Sequence, residues 1–290
     1  MCGPRTIGQT ASKTKAVLLA AAVLALPDVA RAGAADTYYE RAFVVAADAR
    51  CNLFAPHIDA ALKAATAQAR GAALRSGAGE SDLAAAAGRA RARAATVSCS
   101  DPQLATVRAR VDGAFAGWLR TPRMVFPGTR RSWVANRVSS TDANWRLQQT
   151  SMVGASPVAF GYAGKGDTPG LTAVVSFVGR SRPYAARIVL RDPVRVSRPW
   201  LAGDGLVPVS ARASLWATGV SAADPTLLAE ERRTGEAWRF PAATATALER
   251  LDPRETFAIE FHFRDGSVAT AKFEAGDFTA GRAFLAMGML

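Results

Sequence analysis

The chain has 290 residues, 49% of them hydrophobic and 21% charged, with 36 Lys and Arg against 24 Asp and Glu for a formal charge of +12. These proportions exclude a disordered polymer, and the length suffices to bury one large core or two modest ones. Two histidines and three cysteines leave little material for metal cages or redox clusters, so no cofactor is implied.

The first residues form a basic stretch (Arg5, Lys13, Lys15), followed by an unbroken apolar run over 16–26 that stops at Pro27. The run is too short for a membrane span. Beyond it, Ala30-Arg31-Ala32 puts small residues at the two positions that a signal peptidase reads. Residues 1–32 therefore read as a secretion leader cleaved after Ala32, with a periplasmic or secreted mature chain. No paired arginines precede the run, which favours the general secretory route over the twin-arginine one. Cys2 lies before the apolar stretch, so no lipid-anchored cysteine sits at the cleavage site.

The mature chain keeps Cys51 and Cys99. An even pair in an oxidising compartment is expected to bridge. A redox-active role is disfavoured by the lack of Cys-x-x-Cys spacing and of a nearby histidine. Loss of the leader removes four basic residues and one acid, leaving 32 basic against 23 acidic residues and a net charge of +9. Nearly all of it is arginine, with Lys only at 13, 15, 63, 165 and 272. Arginine with abundant alanine is also what a GC-rich genome encodes by default. The functional reading is attraction to an anionic envelope component such as a lipid phosphate, with peripheral membrane contact, rather than to nucleic acid. The densest basic stretch runs from Arg120 to Arg146, and Arg130 and Arg131 within it are candidate anion-binding residues.

Residues 33–120 read as a helical domain of four helices. The first starts at Asp36 or Thr37 and stops near Cys51. The second opens at Pro56, a good first-turn residue, with Ile58, Leu62, Ala65, Ala69 and Ala72 on one face. The third opens at Ser81-Asp82 and carries Leu83, Ala87, Ala90, Ala94 and Val97; the fourth follows Ser100-Asp101-Pro102, with Leu104, Val107, Val111, Phe115 and Trp118 inward. Short connections favour antiparallel neighbours, so the first and third loops share one end, and these loops hold Cys51 and Cys99.

Residues 121–144, where Trp133 and Met124-Val125-Phe126 are scattered among Pro, Gly and Arg, read as a basic connector. Residues 145–290 read as a β-rich domain with strands over 145–153, 157–163, 171–178, 185–191, 206–217, 236–240, 255–264 and 267–274. Gly203-Asp204-Gly205 and the glycines around Lys165 are turns, and Asp265-Gly266 is the strongest hairpin signal. Helices are expected over 242–251 and from Asp277, a natural N-cap, to the end. The fold class is α+β: an antiparallel four-helix domain, then an antiparallel β-sandwich or open barrel with two short helices.

The order Trp238-Arg239-Phe240-Pro241, a helix ending Leu248-Glu249-Arg250-Leu251, the strand Phe257-Ala258-Ile259-Glu260-Phe261, Asp265-Gly266, a second strand and the closing Phe278 to Leu285 resembles the C-terminal part of invasion-associated locus B proteins. The resemblance covers at most 145–290 and lacks the cysteines usual in that family's β domain. It implies a secreted or periplasmic β-rich protein of alphaproteobacterial type, without established enzymatic activity.

Few residues offer chemistry. His57 lies at a helix start, where a polar residue is ordinary. Glu260, His262 and Arg264 share one face of a strand, an arrangement that orients a proton-transfer histidine or binds an anion, and equally the ordinary solvated face of a half-buried strand. Gly161 to Gly166 fails as a phosphate loop, because Lys165 is followed by Gly and no helix can start at Thr168-Pro169-Gly170. Glu230-Glu231 stand beside Arg232-Arg233, as in any charged loop. The functional expectation is a non-enzymatic envelope protein that binds another envelope protein or an anionic envelope component. The rivals are a periplasmic hydrolase whose site converges from distant positions and an assembly factor whose domains clamp a client.

Overall fold

The computed structural model describes residue 3 and residues 26–166, 169–179, 181–202 and 205–290, without the side chains of 26–32. Most of the expected leader, the side chains at its expected cleavage site, and Gly203-Asp204 lie outside the described residues. Among the described residues no helix is long and apolar enough to cross a membrane.

Four helices come first: α1 (Leu26–Cys51), α2 (Pro56–Arg75), α3 (Glu80–Thr96) and α4 (Pro102–Leu119). Helix α1 begins ten residues before the expected Asp36. Pro27 falls in its first turn, where a missing N–H costs nothing, and the helix runs on through Gly33. Asn52, in the left-handed region at φ 52°, ends it, and the buried Asp48 carboxylate accepts from the amides of Leu53 (2.7 Å) and Phe54 (2.9 Å). Asp101 caps α4 by accepting from the Gln103 amide at 2.8 Å. The Cys51–Cys99 disulfide closes the end shared by the first and third loops. A loop of 48 residues gives about 4 kcal/mol of stabilisation in the chain-entropy account.

Helix α1 packs between α2 and α3, and α2 touches both α4 and the last helix, α6 (Phe278–Leu285). Helix α2 is therefore buried on several sides: Ile58, Leu62 and Leu74 fill gaps, and Ala61, Ala64, Ala65 and Ala73 are fully buried. The small side chains let axes approach closely. At Gly71 a Cβ would lie 1.9 Å from Asp277 Oδ1. Asp277 sits at the N-cap position of α6, yet its carboxylate takes a two-pronged bond from Arg75 instead of capping (2.7 and 2.8 Å).

The strands form two antiparallel sheets, not a closed barrel. The larger runs β1 (Arg123–Phe126), β2 (Trp133–Asn136), β3 (Asn144–Val153), β4 (Ser156–Gly164), β5 (Gly170–Val175), β9 (Glu236–Arg239), β8 (Gly219–Ala222); the smaller runs β11 (Val268–Glu274), β10 (Thr256–His262), β6 (Ala185–Arg191), β7 (Arg212–Trp216). Helix α5 (Ala243–Glu249) sits between β9 and β10. The segment 121–144, read as a connector, supplies β1 and β2, and its Trp133 is completely buried. Four-residue strands bounded by Pro, Gly and Arg leave no alternation long enough to read. The expected strand over 206–217 shrinks to β7, because Val209–Ala211 forms a single 3-10 turn.

Between the sheets lies an aromatic core. Phe160 of β4 has Phe257 and Phe273 of the smaller sheet at 5.7 Å, with Trp133 at 6.2 Å and Phe240 at 6.0 Å. Edge-to-face geometry adds to the burial of each ring. Glu274 fastens one corner: its carboxylate accepts from the amides of Thr129 (2.7 Å), Arg130 (2.9 Å) and Arg131 (3.2 Å). Its backbone exchanges hydrogen bonds with the Gln149 side chain at 2.7 and 3.1 Å.

A second fastening is the buried pair Arg191–Glu255, bonded at 2.6 and 2.8 Å. Glu255 also accepts from the amides of Trp200 (2.9 Å) and Asp252 (2.8 Å), so its lone pairs are well used. Removing one partner strands a buried charge, at about 3–5 kcal/mol. Glu255→Ala is expected to lower unfolding free energy by about that amount in urea titration, and the apolar double variant Arg191→Met/Glu255→Leu to recover the part due to the stranded Arg191 charge but not the lost acceptor of the Trp200 and Asp252 amides. Equal losses in both would contradict this account.

Burial holds the Asp277 carboxyl above the ordinary carboxylate range, against the opposing pull of Arg75. The folded chain then holds this proton more tightly than the unfolded chain. The group's contribution is full below the ordinary Asp pKa of about 4 and fades as pH rises through the raised value. Above about pH 4 the parent should lose stability relative to Asp277→Asn, whatever their offset. Parallel pH profiles from thermal melts would refute the assignment.

Candidate functional site

Of the row expected on β10, Glu260 and His262 come together and Arg264 does not. Strand β10 ends at His262, and the turn over 263–267 carries Arg264 out to solvent. The guanidinium beside Glu260 belongs instead to Arg187, opposite it on β6, at 2.7 Å. His262 Nε2 lies 3.6 Å from Glu260 Oε2 and has no hydrogen-bond partner among the described residues, with its ring beside Trp216 (5.3 Å) and Tyr184 (6.4 Å). Arg187 also stacks over Trp216 at 5.2 Å. No Ser, Thr or Cys donates to His262 among the described residues, so this cluster lacks a nucleophile. No group of three or more His, Cys, Asp or Glu suited to a metal occurs among the described residues.

Arg130 and Arg131 do not make one patch. Their amides bind Glu274, and their side chains diverge. Arg130 lines a cavity of about 490 Å³ with Arg75 and Arg254, while Arg131 lines a groove of about 360 Å³ on the outer face of the larger sheet, with Gln148 and Met152. In the first cavity the cations are largely matched: Arg75 by Asp277 and Arg254 by Asp252.

A further cavity lies at the far end of the same basic stretch, at Arg146. Pairing of β3 with β4 runs Trp145↔Ala163 and then Leu147↔Tyr162, so Arg146 is the extra residue of a β-bulge. Trp145 packs on the outer face beside Leu227, and Leu147 enters the core. The bulge turns the intervening arginine into the protein, where it is 2% exposed. Gly161 makes this possible: at φ 153°, a Cβ there would lie 1.8 Å from the Leu147 carbonyl oxygen.

The Arg146 guanidinium donates to the carbonyls of Val138 and Gly166 (3.1 Å to the latter), and its Nε is buried without a partner among the described residues. No carboxylate pairs with it among the described residues. It lines a cavity of about 670 Å³ whose wall also includes Tyr162, Pro169, Leu285 and Met289. Arg282 joins the wall, paired with Glu249 at 2.8 Å and placed 5.8 Å from the Tyr162 ring centre. Tyr162 stacks on Phe278 at 6.3 Å, and its hydroxyl makes no hydrogen bond among the described residues. Burial raises its phenol above the usual value; nearby Arg282 opposes this and Glu249 adds to it. The phenol therefore stays a donor at neutral pH.

The tail borders the cavity through Gly288 and Met289. Leu290 donates to the Arg137 carbonyl (2.8 Å) and accepts from the Ser139 amide (2.8 Å), while Arg137 Nε donates to the Gly288 carbonyl at 2.5 Å. Arg137 also binds the Trp118 carbonyl at the end of α4 (3.1 Å). Sequence reasoning named the stretch ending at Arg146 but not the pocket, whose other donors come from β4 and α6. The usable signal was Gly161 inside a strand, a mark of bulges and close backbone approach.

Comparison of the chain with family models, with curated proteins and with solved structures gives no match. The resemblance of 145–290 to invasion-associated locus B proteins thus rests on the residues quoted for it, and the functional reading on the site.

Proposed function

We propose that the protein is an exported, non-enzymatic component of the cell envelope whose β-rich half binds an anionic envelope constituent. The observation that carries this reading is Arg146. A buried guanidinium is costly unless paired; among the described residues no carboxylate pairs with Arg146, and a β-bulge introduces it beside a cavity of ligand size. Such a site gains most from an oxyanion, which arginine binds in a planar, charge-assisted geometry. The leader pattern at 1–32 supports export, and the Cys51–Cys99 disulfide is compatible with an oxidising compartment.

The test is native mass spectrometry of the mature protein after incubation with a total envelope extract. A small anionic adduct is expected on the parent and not on Arg146→Met, with both proteins giving the same circular dichroism spectrum. No adduct on the parent, or equal adducts on both, would overturn the reading.

A further inference from the structure

We propose that the outer face of the larger sheet, over β1 to β3, docks on a lipid bilayer that carries anionic headgroups. This goes beyond the Arg146 reading and does not depend on it, since this face shares no lining residue with the Arg146 cavity. Val125 and Val134 stand directly opposite each other across β1 and β2, and Met152 lies further along the same face on β3; they are 55%, 42% and 55% exposed. Arginines surround them. Arg123 shares the face two residues before Val125, Arg120 ends α4 just upstream, and Arg131 lines the groove beside Met152. Arg120, Arg123 and Arg131 form no ion pair among the described residues, and no Asp or Glu occurs from residue 113 to residue 141. On the loop at the far side of the groove, Glu230 and Glu231 are matched in number by Arg232 and Arg233.

Spaced aliphatic side chains in a cationic frame suit a bilayer better than a folded partner. A stable protein interface centres on aromatic anchors seated in pockets, and the exposed aromatic side chains among the described residues, Tyr184 and Trp216, lie on or beside the smaller sheet instead. A fluid interface needs no matching pocket. Each valine enters the headgroup boundary on its own, and an arginine stem lies along apolar surface while its guanidinium meets phosphate oxygens in planar, charge-assisted geometry. A hollow of about 260 Å³ beside Val134, lined also by Arg123, Asn136, Asn144 and Gln148, offers one headgroup a guanidinium and side-chain amide donors.

Co-flotation of the mature protein with vesicles tests this, comparing phosphatidylglycerol mixed equally with phosphatidylcholine against phosphatidylcholine alone. Binding is expected on the anionic vesicles only, and is expected to be lost at about 1 M salt, where the Debye length is about 3 Å. Each of Arg120→Gln, Arg123→Gln and Arg131→Gln should weaken it about fivefold. Val125→Thr/Val134→Thr, which keeps β-branched residues in both strands, should weaken it several-fold with an unchanged circular dichroism spectrum. Arg91→Gln/Arg110→Gln removes two exposed arginines of α3 and α4 and should leave binding nearly unchanged, as should Arg146→Met. No binding to the anionic vesicles overturns the proposal. A loss in the Arg91→Gln/Arg110→Gln protein equal to that in Arg123→Gln/Arg131→Gln would show that net charge alone is read. Insensitivity to Val125→Thr/Val134→Thr would fit a soluble acidic partner, and either result overturns the docking face. The adduct test on Arg146 reads a different set of residues, so a failure here leaves that reading standing.

Discussion

The close approach of two backbones at Gly161 and Leu147 is the constraint from which the site follows. Antiparallel strands alternate their side chains, so a residue next to the core-facing Leu147 belongs by default on the outside. One surplus residue in β3 breaks that alternation, and the partner strand has to present a position without a Cβ to let the carbonyl in. Without the glycine, Trp145 and Leu147 could not both keep their faces. Arg146 would then be one more solvent-facing arginine.

Much of the positive charge that dominates the composition serves to tie elements together. Arg75 joins α2 to the start of α6, Arg137 holds the C-terminal segment to α4, Arg187 bridges β6 and β10, and Arg191 fixes the loop before β10. Arginine suits this use because its planar fork satisfies two acceptors at once while the stem packs on apolar neighbours. A charge count taken from composition therefore overstates the basic surface. Arg137 and Arg146 are each 2% exposed although they lie in the stretch with the highest density of cations.

The helices were legible because their ends carry chemistry: Pro56 and Pro102 in first turns and Asp101 as a working cap. Seven of the eight expected strands have a counterpart whose ends lie within three residues of those expected, since alternation between turn residues survives packing. What sequence did not reveal depends on partners distant in the chain. β1 and β2 gain their identity from Trp133 filling the core beside Phe160 and Phe278, and β8 is a four-residue edge of small residues. The reading of Glu260, His262 and Arg264 as a row was right about the face and failed at the turn, and no spacing rule could supply Arg187 from a strand about seventy residues away. The disulfide was foreseeable for the opposite reason: helix order alone brings the two loops together.

The backbone of Leu290 is stitched to Arg137 and Ser139 at the lip of the Arg146 cavity. Any polypeptide continuing past that residue, an affinity tag or a reporter fusion included, would emerge beside the opening and compete with whatever enters. A handle placed on the N-terminal side of the chain avoids that obstruction.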